Sequence, residues 1–135
     1  MNCKIVDVTK HEKMLKKLYD FLDTLDTTIM PNFKRFKFFT SIGEAYAITN
    51  KDVVVGGLVM YSMPEQLVVL NYYIPESERN SLLSADTLNI LLGFRDKHPK
   101  KHMYIKSLDT SAYSRFVTHI EDDIYRLNIP TRRMK

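Results

Sequence analysis

The chain has 135 residues, of which 44% are hydrophobic and 27% charged, a composition that predicts one globular domain over residues 1–135. The formal net charge is +4, and no nucleic-acid motif accompanies the basic residues, so solvated faces are favoured over a nucleic-acid interface. A single cysteine, no signal-peptide pattern and no apolar run of about 20 residues predict an intracellular protein without disulfides or membrane spans.

The first quarter of the chain predicts a strand followed by an amphipathic helix. Residues 3–8 are rich in β-branched side chains, as in an opening strand. Apolar residues then recur at helical spacing over residues 10–25, with lysines and aspartates on the opposite face. Thr9 and Glu12 match a capping box, so we expect Thr9 to be the N-cap of this helix.

Residues 26–43 carry a dense group of phenylalanines interleaved with basic side chains. Pro31 and Asn32 interrupt the helical pattern before this group. The favoured interpretation is a short second helix or an irregular connector that places phenylalanines in the core. The alternative is an aromatic and basic surface on which nucleic-acid bases stack.

Three consecutive strands are predicted next. Residues 44–49 and 53–61 flank an Asn-Lys-Asp turn, which predicts an antiparallel hairpin. Gly56 and Gly57 lie inside the second of these strands and predict a bulge or a close backbone approach. Residues 66–74 form a nearly continuous apolar run, as expected of a buried central strand.

The remaining elements complete an α/β (α+β) fold. A helix is expected from about Ser84 to Lys97, before Pro99, and a core strand over residues 103–108. A short helix carrying Tyr113, Phe116, Val117 and Ile120, and a final edge strand over residues 124–129, follow. Three adjacent strands without intervening helices predict a mixed, mostly antiparallel central sheet flanked by helices.

This order of elements resembles the GNAT superfamily of N-acetyltransferases over nearly the whole chain. The resemblance implies that a turn over residues 75–84 would hold the pyrophosphate of acetyl-CoA at a helix N-terminus. The family's turn begins with Arg or Gln and ends with small residues. Here Arg79 matches its start, whereas Leu82 and Ser84 stand at the small positions, so we expect weakened pyrophosphate binding. If acetyl-CoA binds, the resemblance implies as cofactor-binding residues Tyr73, Ile74, Arg79, Asn80, Ser81 and Ser84.

The catalytic groups that the resemblance implies are incomplete in this sequence. After the following strand, GNAT members often carry Asn, a small residue and a Tyr that protonates the leaving thiolate. Here Asp109 replaces the Asn and Phe116 falls at the Tyr position, so Tyr113 becomes the candidate proton donor. Glu76 and Glu44 are the candidate general bases. The four histidines and one cysteine form no metal-binding pattern, so no metal site is expected.

Two functions are open at this stage. Residues 109–120 also resemble part of the small, GNAT-like internal virion proteins of short-tailed bacteriophages. That resemblance implies a phage-encoded module without acetyl transfer or cofactor, a virion component or host-interaction protein in the virion or host cytoplasm, with other virion proteins as partners. The alternative is an acetyl-CoA-dependent N-acetyltransferase with an altered pyrophosphate loop.

Overall fold

The structure, a computed structural model, describes residues 3–25, 32–78, 81–106, 117–121 and 124–127. The described helices are α1 (Glu12–Asp23), α2 (Phe33–Ser41) and α3 (Leu82–Asp96), with a short 3₁₀ turn at Glu76–Glu78. The described strands are β1 (Cys3–Asp7), β2 (Gly43–Asn50), β3 (Val53–Ser62), β4 (Gln66–Tyr73), β5 (His102–Lys106), β6 (Val117–Glu121) and β7 (Ile124–Leu127). None of these helices is long and apolar enough to cross a membrane.

The seven described strands form one sheet in the order β1-β2-β3-β4-β5-β7-β6. The β4–β5 pair is parallel and every other neighbouring pair is antiparallel. The predicted mixed, mostly antiparallel sheet is therefore confirmed. The predicted edge position of the last strand is wrong, because β7 lies between β5 and β6.

The segment predicted as a short helix is partly a strand. Residues 107–116, which include Tyr113 and Phe116, lie outside the described residues. Val117–Glu121, however, form β6, which pairs with β7. Pairing with the strand that follows suits the β-branched Val117, Thr118 and Ile120 better than a helix does.

The start of α1 differs from the predicted capping box. His11 is the N-cap, and its Nδ1 accepts a hydrogen bond from the Met14 N–H at 3.2 Å. The Thr9 hydroxyl instead donates to the Asp7 carboxylate at 2.6 Å, and its oxygen accepts the Ala45 N–H at 3.0 Å. Thr9 therefore joins the end of β1 to β2, and α1 begins at Glu12.

Helices cover both faces of the sheet. On one face α1 and α2 pack over a cluster that includes Leu18, Phe36, Val59 and Leu70. On the other face a cluster that includes Leu58, Val69, Met103 and Ile105 packs with α3 residues such as Leu91 and Phe94. Of the four phenylalanines of α2, Phe36 is fully buried and only Phe38, at 59%, is exposed. The interpretation of a second helix that places phenylalanines in the core is confirmed.

The glycine pair in β3 produces both features that were predicted for it. Ile48 pairs with Gly56 and Thr49 with Val54, so Val55 is the extra residue of a bulge. A Cβ at Gly56 would lie 2.6 Å from the Tyr73 carbonyl oxygen, and a Cβ at Gly57 would lie 2.5 Å from Leu18 Cδ1. A side chain at either position would require the neighbouring atoms to shift.

Candidate functional site

The candidate site is the place where the described pairing of the parallel strands β4 and β5 ends. They pair from Gln66–His102 to Val69–Ile105. Beyond that point β4 stays paired with β3 as far as Tyr73, whereas the described part of β5 ends at Lys106. The end of the pairing coincides with a bulge in β4, because Val69 pairs with Met60 and Asn71 with Val59. Leu70 therefore has no strand partner among the described residues.

The N-terminus of α3 lies at the same end of β4. The Tyr72 and Thr87 hydroxyl oxygens are 3.1 Å apart near the start of α3, and Lys97 just after its end reaches Glu44 at 2.7 Å. The helix thus runs antiparallel to β4 and begins where β4 ends. Its N-cap, Ser81, makes no side-chain capping bond, because the Ser81 hydroxyl donates to the Glu78 carbonyl instead. The first amides of α3 receive no side-chain acceptor from the N-cap and carry the positive end of the helix dipole.

The residues predicted to bind the cofactor are only partly placed by the described structure. Tyr73 ends β4, and its ring packs against Phe21 of α1 with 5.9 Å between centroids. Ile74 is buried, and Ser84, in the first turn of α3, accepts the Thr87 hydroxyl through its carbonyl at 2.8 Å. Arg79 and Asn80 lie outside the described residues, so their predicted contacts stay predictions.

Leu82, which stands at a small-residue position of the GNAT turn, extends into solvent. It is the first residue of α3 and is 85% exposed. Because no packing holds this side chain, it is free to rotate away from an anion that approaches the helix N-terminus. The obstruction expected from Leu82 is therefore smaller than the sequence alone suggests.

Two carboxylates just before α3 act against an anion at this place. Glu76 is exposed, whereas Glu78 is only 7% exposed, and both belong to the 3₁₀ turn between β4 and α3. The repulsion between a carboxylate and an anion is screened less when the carboxylate is buried. The role of Glu76 as general base stays a prediction, as does that of Tyr113, which lies outside the described residues.

Glu44, the other candidate base, bonds a residue just after the C-terminal end of α3. Its carboxylate accepts the Tyr46 hydroxyl at 2.6 Å and Lys97 Nζ at 2.7 Å. Glu44 pairs with Met60, which pairs with Val69, so its backbone lies two strands away from the residue before the Leu70 bulge. Burial first, and then the bond to Glu44, raises the pKa of Tyr46 well above its usual range. The role of Glu44 as general base stays a prediction.

Asn71 is the functional candidate that sequence reasoning missed. It is 4% exposed, and its side-chain oxygen finds no hydrogen-bond partner among the described residues. A buried acceptor left without a donor costs about 1–3 kcal/mol, which makes it a candidate for ligand contact. The signal in the sequence was an amide side chain that directly follows the apolar residues 67–70 of β4. Among the described residues, no group of three or more His, Cys, Asp or Glu side chains could hold a metal ion.

Several solved structures of GNAT-family acetyltransferases have a similar fold. An acetyltransferase of the GNAT family from Staphylococcus aureus Mu50 matches with a TM-score of 0.70 at 12% identity, over 93% of this chain and 98% of that protein. A GNAT acetyltransferase from Elizabethkingia anophelis with acetyl-CoA bound matches with a TM-score of 0.57 at 20% identity, over 90% and 78%.

A third likeness involves a longer protein. N-acetylglutamate synthase from Neisseria gonorrhoeae, complexed with coenzyme A and L-arginine, matches with a TM-score of 0.67 at 8% identity, over 94% of this chain and 33% of that protein. The comparisons with protein-family models and with curated proteins gave no match. The structural likenesses show that the described chain has the GNAT fold, and they do not support the expectation of a phage virion protein.

Proposed function

We propose that this domain binds acetyl-CoA between β4 and β5 and transfers its acetyl group to an amine. The observation that carries the proposal is the end of the described β4–β5 pairing at the Leu70 bulge, next to the α3 N-terminus that Ser81 leaves without a side-chain cap. A strand opening offers backbone groups to the amide-rich pantetheine arm, and helix amides with a positive dipole end suit a diphosphate. The GNAT relative from Elizabethkingia anophelis has acetyl-CoA bound, which is consistent with this assignment.

The residues present fit such a ligand in distinct ways. The backbone of Leu70 would bind along the arm, and the amides of Leu82 and Ser84 would bind the diphosphate. Acetyl-CoA, when bound, supplies an acyl carbon activated as a thioester. The uncharged nitrogen of the acceptor forms the new C–N bond as the C–S bond breaks, one proton leaves the nitrogen, and the sulfur leaves as thiolate or thiol.

A second candidate function is a non-catalytic module that binds other proteins, in a phage particle or at a host target. The buried carboxylate of Glu78 favours it, because this group lies three residues before the α3 N-cap and would repel a diphosphate there. The Phe116 at the family's Tyr position in the sequence favours it too. The two candidates differ in one measurable property, which is affinity for acetyl-CoA.

Calorimetric titration with acetyl-CoA separates the two candidates. We expect a dissociation constant in the micromolar range for the unmodified chain. Leu82→Glu places a carboxylate at an exposed position in the first helical turn, where it favours the helix dipole and leaves the fold intact. The same carboxylate repels the diphosphate, so we expect acetyl-CoA affinity to fall on the order of tenfold.

Leu82→Gln is the matched control, with similar size and no charge, and we expect it to retain the affinity of the unmodified chain. Asn89→Glu adds the same charge at another exposed position of α3, two turns further along the helix, and should change affinity little. If millimolar acetyl-CoA gives no heat, the transferase assignment is wrong and the non-catalytic candidate is left. If Glu and Gln at position 82 behave alike, the diphosphate does not bind at the α3 N-terminus.

A further inference from the structure

Three exposed apolar side chains lie at the end of the sheet where β4 begins. Phe38, in α2, is 59% exposed, and Ile42, four residues later at the C-cap of that helix, is 39% exposed. Positions four apart are neighbours on a helix surface. The Ile42 carbonyl accepts the Ser62 N–H at 3.1 Å, which brings Met63, 36% exposed, to the same place. Phe38, Ile42 and Met63 are called the end patch below.

The end patch lies at the opposite end of the sheet from the proposed acetyl-CoA site. Ser62 pairs with Leu67 at the start of β4, whereas the α3 N-terminus lies beyond Tyr73, at the other end of that strand. A strand of eight residues is about 26 Å long. Acetyl-CoA binding therefore does not use these exposed apolar groups, and the described core does not bury them.

Basic side chains border the end patch on the α2 side. Lys34 and Arg35 precede Phe38 by four and three residues, so they occupy the neighbouring turn of the helix. Both are exposed, and among the described residues neither has a carboxylate within ion-pair distance. The helix itself contains no acidic residue, and its third cation, Lys37, is paired with Glu12.

The loop between α3 and β5 borders the end patch on the other side. Residues 97–101 contain three lysines and no carboxylate. Lys101 Nζ donates to the Ser62 hydroxyl and to the Met63 carbonyl, each at 2.8 Å, so the loop is held against the turn between β3 and β4. Lys100, beside it, is exposed and pairs with no carboxylate in the described part of the chain. The end patch thus has cations on both sides.

The composition of the end patch favours an anionic lipid surface over nucleic acid. Single-stranded nucleic acid stacks on several exposed rings, but of the four phenylalanines of α2 only Phe38 is exposed. Ile42 and Met63 have no ring on which a base stacks, and both are apolar groups that the interface of a bilayer accommodates. Glu65, two residues after Met63, is exposed, and the neighbouring cations outnumber it.

We propose that the end patch docks this domain on the surface of an anionic lipid bilayer. Phe38, Ile42 and Met63 enter the headgroup region, and the lysines and arginine around them attract the anionic headgroups. Apolar burial and electrostatic attraction act together in peripheral binding of this kind, because each contribution alone is weak. The proposed acetyl-CoA site lies at the end of the sheet away from the bilayer, so the inference does not depend on acetyl transfer.

Co-sedimentation with vesicles tests the interaction on the unmodified chain. Vesicles of phosphatidylcholine and phosphatidylserine in a ratio of about 7:3 are compared with vesicles of phosphatidylcholine alone. We expect binding to the anionic vesicles to be at least about tenfold tighter, and to be lost when salt rises from about 0.1 M to about 1 M, because salt screens the cations. Equal binding to both vesicles, or no binding to the anionic ones, would overturn the proposal.

The variant Phe38→Gln tests the apolar contribution at an exposed position whose replacement leaves the core intact. We expect the affinity for anionic vesicles to fall on the order of tenfold, with Tm unchanged. Val53→Gln is the matched control, because Val53 is 62% exposed and begins β3 at the other end of the sheet. Its affinity for vesicles should equal that of the unmodified chain. If the two variants bind vesicles alike, the end patch is not the docking surface.

The variant Lys100→Gln tests the cations, and we expect it to lower vesicle affinity about fivefold. Lys4→Gln makes the same change of net charge at an exposed position of β1, beside Thr49 near the other end of the sheet, and should change affinity little. Equal losses would show that overall charge and not this surface attracts the vesicles. A single-stranded DNA oligonucleotide is titrated in parallel. Binding of the oligonucleotide without binding of vesicles would assign the end patch to nucleic acid and overturn the lipid proposal.

Discussion

Gly56 and Gly57 are neighbours in β3, and alanine at each position tests whether the end of β4 belongs to the acetyl-CoA site. An alanine Cβ at Gly56 would lie 2.6 Å from the Tyr73 carbonyl oxygen and 3.0 Å from Pro75 Cδ. It would therefore push on the segment that leads from β4 to α3. At Gly57 the nearest atom is Leu18 Cδ1, at 2.5 Å, which belongs to α1 on the other face.

The size of the effect follows from the distances. The Tyr73 carbonyl must move by roughly 0.8 Å to reach the 3.4 Å of an ordinary contact, because a backbone atom cannot rotate away. Overpacking of this kind costs about 1–3 kcal/mol, and the Gly→Ala change returns about 0.4–1 kcal/mol through the unfolded chain. We expect Gly56→Ala to lower the free energy of unfolding by about 2 kcal/mol and Tm by roughly 6–10 °C.

Thermal denaturation followed by circular dichroism measures the stability, and calorimetry well below Tm measures acetyl-CoA affinity. Both alanine variants should be destabilised, since Leu18 is fully buried and the Gly57 site is crowded as well. Only Gly56→Ala should weaken acetyl-CoA binding, on the order of tenfold, because it moves the strand end that borders the opening. Equal affinities in the two variants would refute the placement of the cofactor beside the end of β4, and an unchanged Tm in Gly56→Ala would refute the packing argument.

Two further predictions concern the fold. Phe36→Ala should lower the free energy of unfolding by about 3–5 kcal/mol in urea denaturation, because Phe36 is fully buried. The exposed Phe38→Ala should change it by less than about 0.5 kcal/mol, and similar losses in both would contradict the orientation of α2. Burial and Glu44 raise the pKa of Tyr46 above 10.0, so the folded chain holds this proton more tightly than the unfolded chain does. Stability should therefore decline as pH rises above about 10, and the urea midpoint should decline less in Tyr46→Phe, whereas parallel declines would exclude a contribution from Tyr46.

Most of the fold could be predicted because local patterns and tertiary packing agree. The alternating and apolar runs that predicted β2, β3 and β4 are the runs that the sheet buries. Where they disagree, hydrogen bonding and strand pairing decide. Thr9 has the local signal of an N-cap, but its hydroxyl group bonds Ala45, 36 residues away, and His11 takes the cap. Val117–Glu121 show helical spacing of apolar residues, but their pairing with β7 makes them a strand.

The candidate site was less predictable, because its geometry depends on registers that no local pattern contains. The partner of Glu44 could not be predicted, because Lys97 lies 53 residues further along the chain. Asn71 is an unremarkable polar residue in a strand until the bulge at Leu70 sets it on the face of Val59. The residue at which the described β4–β5 pairing ends depends on the register and not on the composition of either strand.

The α3 N-terminus departs from the GNAT turn and has no side-chain cap from Ser81. Ser81 stands at the N-cap with a hydroxyl that would stabilise the helix by about 1 kcal/mol if it capped an amide. That hydroxyl donates to the Glu78 carbonyl instead, so the stabilisation is given up and the first amides are left for another acceptor. The same bond fixes the 3₁₀ turn that carries the two carboxylates. Since Leu82 is exposed and Glu78 is buried, the opposition to a diphosphate here is electrostatic more than steric. A change of charge at position 82 therefore tests the site more directly than a change of size.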